Sequence, residues 1–228
     1  SSIMNIQHHL DQQPLRPEVP RTSPSPMGSE KSLGLQAPDL LSLIEIFEPE
    51  CQIAVVPRTH IKPIDAYLEL AALQMGSGFR TIVKTGESIP AYLLPDLPGR
   101  DALLNDIAFL TELYADLLGC ESIGVRVEVL KRAMCPRFHV DRSGIRLLCT
   151  YRGSGTEWLR ESDVDRTKLG FQSAGMSDET SGVVLNPDAI QALETYTIAL
   201  IKGSAWEDNA QRGLVHRSPT PAVQQSPR

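Results

Sequence analysis

The hydrophobic pattern changes at Gly119, and this change constrains the fold more than any other feature of the sequence. Before it, residues 101–118 carry apolar side chains at helical spacing, and Gly119 is a typical helix terminator. After it, residues 124–132 alternate valine with charged side chains, which is typical of a strand with one buried face. Because a helical half is followed by a β-rich half, we predict an α+β fold, with a sandwich or barrel flanked by helices.

Shorter apolar segments extend this division on both sides. Residues 64–75 are predicted to form a second helix, and residues 39–47 form either a short helix or a strand. The remaining predicted strands are 145–152, 183–185, 196–201 and the pair 214–215 that precedes His216. We therefore expect one domain over residues 39–220, helical over 39–120 and β-rich over 121–220.

Both ends of the sequence are rich in proline. In residues 1–38, six prolines lie among Ser, Gln and Arg, so too little surface can be buried to offset the entropy of ordering. We expect a disordered, mobile tail there, with His8 and His9 solvated. The segment after His216, RSPTPAVQQSPR, cannot form an ordinary inner strand because of its prolines. Residues 221–228 are expected to be disordered or truncated.

The 228-residue chain is mildly acidic, with a formal net charge of −6 and no blocks of Lys or Arg. This charge argues against nucleic acid or an anionic membrane surface as the main partner. No apolar run approaches the roughly 18–20 residues of a membrane span, and the N-terminal residues do not resemble a secretory signal. The four cysteines form no CxxC pair, so we expect reduced thiols and a cytoplasmic location.

A His-x-Asp motif, His139 and Asp141, directly precedes one of the predicted strands. Since residues i and i+2 of an extended chain project to the same side, both side chains can reach one metal ion. His216, from a distant strand, would complete a 2-His-1-carboxylate set, here called the metal triad. Such a set leaves three coordination positions open, as in non-haem Fe(II) oxygenases. The spacing alone is equally compatible with ordinary, partly buried histidines bonded to backbone.

The cysteines, His60 and the known hydrolase motifs give weaker indications of function than the His-x-Asp motif does. Cys135 could add a soft ligand, and together with Cys149 it would make the site suit Zn(II) better than Fe(II), although free cysteines are more often inert and buried. His60 has no ligand partner nearby in the sequence and is expected to be structural. No GxSxG or Ser/His/Asp pattern indicates a hydrolase.

Four segments together resemble an uncharacterised bacterial family that is described only as a domain of unknown function. They are CPxFHxD (135–141), RLLCTYxGxGTEW (146–158), LIKGxxW (200–206) and GLVHRSP (213–219), and the resemblance covers residues 40–220. The family's layout is similar to the double-stranded β-helix of oxygenases that depend on Fe(II) and 2-oxoglutarate. The resemblance therefore implies a jelly-roll or cupin-like core with the N-terminal helices packed on it. The family is also associated with bacterial gene clusters for zinc homeostasis that include GTPase-type metal chaperones.

The same resemblance implies roles for individual residues. The metal triad would hold Fe(II), and an arginine would bind a carboxylate of 2-oxoglutarate through a bidentate pair. Arg146, with Thr150 at i+4, Arg152 and Arg217 are the candidates, and any of these arginines could instead be a surface charge or a structural ion pair. Family members continue into an apolar strand after the second histidine, whereas this chain continues with prolines.

Three hypotheses for the function follow. The first is a dioxygenase dependent on Fe(II) and 2-oxoglutarate, with an unidentified small molecule or protein as its substrate. The alternative is a non-catalytic metal-binding protein that acts in zinc homeostasis with a metal-chaperone GTPase, its ion being Zn(II). The third is a structural β-domain whose histidines bind no metal. Convergence of the three side chains within about 4–5 Å would support the first two.

Overall fold

The computed structural model describes residues 2–8, 35–131 and 136–219 of the chain. The described residues form helices α1 (Ala37–Ile44), α2 (Lys62–Ala71), α3 (Arg100–Leu118) and α4 (Asp178–Ser181). The strands are β1 (Ser2–His8), β2 (Ile53–Val56), β3 (Gly78–Lys84), β4 (Ser122–Val129), β5 (Ile145–Arg152), β6 (Glu157–Leu159), β7 (Gln191–Ala192), β8 (Ile198–Lys202) and β9 (Val215–Arg217). This mixture of helices and antiparallel strands confirms the predicted α+β class.

The strands form two sheets. The larger has the order β2-β8-β5-β1-β4-β3, and the smaller has the order β7-β6-β9. Every named pair is antiparallel. An isolated bridge between His139 and His216 adds the segment around His139 to the free edge of β9. The small sheet is therefore extended at the position where the two candidate histidines lie.

The large sheet is the middle layer of the described structure. On one of its faces, Leu147 and Cys149 of β5 belong to the main hydrophobic core together with the buried side of α3. On the opposite face, Leu148 and Leu214 belong to a second hydrophobic cluster. Trp158 of β6 packs against this cluster. Because successive residues of a strand point to opposite faces, β5 contributes side chains both to the helical layer and to the small-sheet side.

Helix α3 confirms the clearest prediction from the sequence. It ends at Gly119, whose φ of 65° is left-handed and whose N–H donates to the carbonyl of Ala115 at 2.7 Å. It begins after Gly99, which also has a left-handed φ of 95° and lies so close to Pro63 and Tyr67 that a Cβ would clash. Neither α3 nor any other helix of the described residues is long and apolar enough to cross a membrane.

Residues 39–120 were predicted to be helical. The structure corrects this prediction, because the stretch also contains β2 and β3. β2 is only four residues long and is followed by Pro57, and so short an apolar run does not distinguish strand from helix by its period. The ambiguous segment 39–47 is helical. The expected strand at 183–185 amounts to a single bridge between Val164 and Val184.

The tail predicted over residues 1–38 is wrong for two of its parts. β1 occupies residues 2–8 and pairs with β4 on one side and β5 on the other, and α1 begins at Ala37. The prediction failed because this order comes from the two strands that β1 joins, and they are more than 110 residues away in the sequence. Residues 9–34, and the C-terminal segment 221–228, lie outside the described residues.

Candidate metal centre

The backbone places His139 and His216 side by side at the edge of the small sheet. The N–H of each donates to the carbonyl of the other, with N···O distances of 3.0 Å in both directions. Residues paired in this way project to the same face, and the two ring centroids are 4.6 Å apart. Asp141 is two residues after His139 on extended backbone and points to that face as well. One ligand atom from each of the three side chains lies within 4.8 Å of the others.

A backbone carbonyl fixes the orientation of each imidazole. Nδ1 of His139 donates to the carbonyl of Arg137 at 2.8 Å, and Nδ1 of His216 donates to the carbonyl of Leu214 at 3.0 Å. Because a carbonyl oxygen only accepts hydrogen bonds, each Nδ1 carries the proton, and Nε2 of a neutral ring keeps a free lone pair. This outer contact is the one that metal-binding histidines usually make.

Both Nε2 atoms face the carboxylate of Asp141. His139 Nε2 lies 3.5 Å from Oδ1, and His216 Nε2 lies 3.4 Å from Oδ2. Lone pairs on both sides repel each other unless a cation, either a proton or a metal ion, lies between them. Two ligand atoms bound about 2.1 Å from the same ion are about 3.0–3.4 Å apart. The two nitrogen-to-oxygen distances, 3.5 and 3.4 Å, are therefore close to those between ligands of one ion.

The site is buried on one side and accessible on the other. The side chain of His216 is 5% exposed, whereas that of His139 is 34% exposed. Burial alone would raise the pKa of Asp141, but the two histidines and Arg146 hold that pKa well below its usual range. Burial would also lower the pKa of His139, but its hydrogen bonds to Asp141 and to the Arg137 carbonyl raise it. Asp141 is therefore ionised, and the accessible side of the site is at His139.

Arg146 lies beside the metal triad. Its guanidinium forms an ion pair with Oδ2 of Asp141, the oxygen that also faces His216. Its Nε is buried and has no hydrogen-bond partner among the described residues. Thr150 is buried four residues further along β5, and regular strand alternation places it on the strand face of Arg146. The predicted pairing of these two residues on one face of β5 is compatible with the backbone.

Arg217 is engaged elsewhere. Its guanidinium pairs with Glu157 and with Asp178, at 2.9 Å in each case, and it also lies 3.5 Å from Glu179. Its Cζ is 4.2 Å from the centre of the Phe138 ring. Burial alone would lower the pKa of Arg217, but the carboxylates raise it. The contacts of Arg217 are therefore those of a structural ion pair, the alternative role that the sequence left open for it.

None of the described cysteines belongs to the group formed by His139, Asp141 and His216. Cys149 is fully buried on the face of β5 that packs against the helices, where its Sγ accepts a hydrogen bond from Arg58 at 3.4 Å. Burial raises the pKa of this thiol to about 12, so it is not a ready thiolate ligand. Cys135, the other candidate soft ligand, lies outside the described residues.

Three contacts, made by His60 and Asp178, were not predicted from the sequence. His60, expected to have no partner nearby, lies 2.9 Å from Asp65 and 2.8 Å from Thr195. Asp178 accepts a hydrogen bond from the N–H of Phe138 at 3.1 Å and thereby anchors the segment that carries His139. The His60–Asp65 spacing of five residues was visible in the sequence, but the contacts of Asp178 depend on the tertiary fold.

A family model described as "Protein of unknown function (DUF1826)" matches residues 37–228. The chain belongs to this family. The match confirms the prediction of an uncharacterised domain family, and it includes the whole metal triad of this DUF1826 member but not β1. No curated protein matches the chain, and no solved structure matches it.

Proposed function

We propose that this DUF1826 member binds one divalent transition-metal ion at the metal triad, and that it is an oxygenase dependent on Fe(II) and 2-oxoglutarate. The observation that carries the proposal is the orientation of both Nε2 atoms toward one ionised carboxylate, with the proton of each ring held at Nδ1. Two imidazoles and one carboxylate on one side of an ion form the ligand set typical of non-haem Fe(II) oxygenases. When bound, Fe(II) would supply oxygen activation coupled to oxidation of 2-oxoglutarate to succinate and CO₂.

The path of the chain supports a double-stranded β-helix as the fold. After β4 of the large sheet, the chain passes through the His139 bridge on the small sheet and returns to the large sheet as β5. It then forms β6 and β7 in the small sheet, β8 in the large sheet and β9 in the small sheet. Repeated passage between two packed antiparallel sheets is typical of jelly-roll folds. In this arrangement the metal triad lies at the edge of the small sheet.

The residues of the chain have distinct roles in this proposal. Arg146 is the candidate for the cosubstrate carboxylate, because its buried Nε lacks a partner in the described structure while Arg217 already faces three carboxylates. Until a cosubstrate arrives, Arg146 neutralises and orients Asp141. The exposed side of His139 is where an unidentified small-molecule or protein substrate would approach.

A second candidate function is non-catalytic binding of Zn(II), in zinc homeostasis and with a metal-chaperone GTPase as partner. The ion pair between Arg146 and Asp141 favours it, because that guanidinium is already occupied by a carboxylate of the protein. Zn(II) accepts imidazole and carboxylate ligands as readily as Fe(II) does. The two functions therefore share the metal site and differ only in turnover.

Metal titration of the untagged full chain tests both candidates. We expect one equivalent of Fe(II), bound anaerobically, or of Zn(II), and a loss of affinity of about 100-fold or more in His139→Ala and in His216→Ala because each removes one ligand. His60→Ala is the matched control and should retain one equivalent. If the wild-type chain and the two ligand variants bind metal equally, the site is not a metal centre.

Turnover of 2-oxoglutarate distinguishes the oxygenase from the non-catalytic metal-binding protein. With Fe(II) and 2-oxoglutarate under anaerobic conditions, the oxygenase should show the weak visible charge-transfer band of the chelate, and with oxygen it should form succinate. Arg146→Met should abolish the band while it leaves the triad's own ligands in place. Tight Zn(II) binding with neither the band nor succinate would replace the oxygenase with the non-catalytic metal-binding function.

A further inference from the structure

Thr195, His60 and Asp65 form a hydrogen-bonded chain that shares no residue with the metal triad. Thr195 Oγ1 lies 2.8 Å from His60 Nε2, and His60 Nδ1 lies 2.9 Å from Asp65 Oδ2. An ionised carboxylate only accepts, so Nδ1 of His60 donates to Asp65, and Nε2 of the neutral ring then accepts from the Thr195 hydroxyl. This is the order of nucleophile, general base and orienting carboxylate found in hydrolase triads.

A strained residue holds Thr195 in this position. Tyr196 follows it directly, is completely buried, and has a φ of 67°, which is unfavourable for a bulky side chain. Its N–H donates to the carbonyl of Thr150 at 2.8 Å, its carbonyl accepts from Arg58 at 2.9 Å, and its hydroxyl donates to Asp65 at 2.7 Å. A residue keeps such an unfavourable backbone conformation only where several contacts hold it there, and residues of this kind are concentrated at functional sites.

The residue that holds Tyr196 is itself fixed in the core. Arg58 pairs with the fully buried carboxylate of Asp106 through two contacts of 2.7 and 3.1 Å, and its side chain is only 4% exposed. The hydroxyl of Tyr151 also donates to Asp106, at 2.5 Å. The strained turn is thus anchored to a buried ion pair between the helical layer and the sheet, so the Thr195 hydroxyl has a rigid support.

Thr195, His60 and Asp65 line a pocket that can admit a small molecule. The pocket has a volume of about 450 Å³ and is lined by His60, Asp65 and Thr195 together with the cationic residues Lys62 and Arg152. The side chains of His60 and Asp65 are 53% and 39% exposed, so a substrate can reach the base and the hydroxyl from solvent. Glu69 also lines the pocket, and Arg152 already donates to the carbonyl of Leu68 at 2.9 Å, so Lys62 is the candidate positive charge for an oxyanion formed there.

We propose that Thr195, His60 and Asp65 form a second active site, which hydrolyses short-chain carboxylic esters. The Thr195 oxygen bonds to the ester carbonyl carbon while its proton passes to His60 Nε2. The bond from that carbon to the alcohol oxygen breaks, and the alcohol leaves with the proton. Water then attacks the threonyl ester and transfers a proton through His60 to Thr195, which releases the carboxylic acid. The net reaction is ester plus water to acid plus alcohol.

Hydrolysis of p-nitrophenyl acetate by the full chain tests the proposal. We expect saturable turnover, with kcat/KM reduced about 100-fold or more in Thr195→Val and His60→Gln because the nucleophile or the base is lost. Thr195→Ser should retain turnover, since it keeps the hydroxyl. Thr81→Val, on β3, is the matched control and should behave as wild type. Peptide mapping of the protein stopped during turnover should find the acetyl group on Thr195.

Each other outcome overturns the proposal. Undetectable turnover by the wild-type chain, or equal turnover by wild type and Thr195→Val, excludes Thr195 as a nucleophile. Acetyl groups found only on lysines or histidines show non-specific acylation. Far-UV circular dichroism and a urea unfolding midpoint equal to those of wild type show that Thr195→Val is folded, so a loss of turnover is not a loss of structure, and the outcome is independent of metal binding at the triad.

Discussion

Asp141 is the residue on which both histidines and Arg146 converge. Burial opposes its ionisation, but the two histidines and Arg146 lower its pKa below the usual range in the folded protein. A carboxyl with a depressed folded-state pKa stabilises the fold fully above its unfolded-state pKa, and this contribution is lost as the pH falls. The stabilising contribution of Asp141 should therefore be present near neutral pH and disappear in acid.

We expect Asp141→Asn to lower the free energy of unfolding of the metal-free protein by about 1–2 kcal/mol at pH 6. The difference from wild type should shrink as the pH falls below about 4, where the carboxyl of the unfolded chain becomes protonated. Urea unfolding at a series of pH values measures both quantities. A difference that stays constant from pH 3 to 7 would show that the charge of Asp141 makes no contribution.

Single residues also show what the sequence could predict about the site. The proximity of His139 and Asp141 was predictable because residues two apart on an extended chain share a face, whatever the rest of the fold does. The fixed Nδ1 protons were not, because they depend on carbonyls whose direction follows from the local backbone path at Arg137 and Leu214. The engagement of Arg217 was equally hidden, since Glu157 and Asp178 are 60 and 39 residues away.

At the scale of elements, Arg217 joins three of them next to the metal triad. It lies at the end of β9, pairs with Glu157 of β6 and Asp178 of α4, and covers the ring of Phe138. Asp178 in turn accepts from the N–H of Phe138, the residue before His139. This ion pair is therefore linked, through Asp178, to the backbone of the segment that carries His139.

We expect Arg217→Met to weaken metal binding about tenfold while the stoichiometry stays at one, because outer contacts orient metal ligands without binding the metal. Calorimetric titration with Zn(II) measures the affinity. Arg100→Met, which removes a more exposed ion pair with Asp96 at the start of α3, is the matched control and should bind as wild type. Unchanged affinity in Arg217→Met would show that the backbone bridge alone positions His139.

Elements differ in how well the sequence predicts them. α3 has five turns of apolar spacing and a glycine at its end, so local information is sufficient for it. β2 and β7 have four and two residues, and their pairing with β8 and β6 determines that they are strands. Short strands depend on partners distant in sequence, which a local pattern does not contain.

At the scale of the whole molecule, β1 joins the two parts of the large sheet. It lies between β4 and β5, which follow each other in the chain but do not pair with each other in the described sheet order. Asn5 at its middle is paired with Arg126 on one side and with Leu148 on the other. Without β1, both neighbouring strands would expose unpaired backbone groups in the interior of the sheet.

Proline at position 5 tests this central role, because it removes a backbone donor and is excluded from inner strands. We expect Asn5→Pro to lower the free energy of unfolding by roughly 2–4 kcal/mol, whereas Asn5→Ala, which keeps the donor, should cost less than about 1 kcal/mol. Urea unfolding of both variants beside the wild type measures the difference. Equal stability of the two variants would mean that residues 2–8 contribute nothing to the sheet and that the tail predicted from composition describes them correctly.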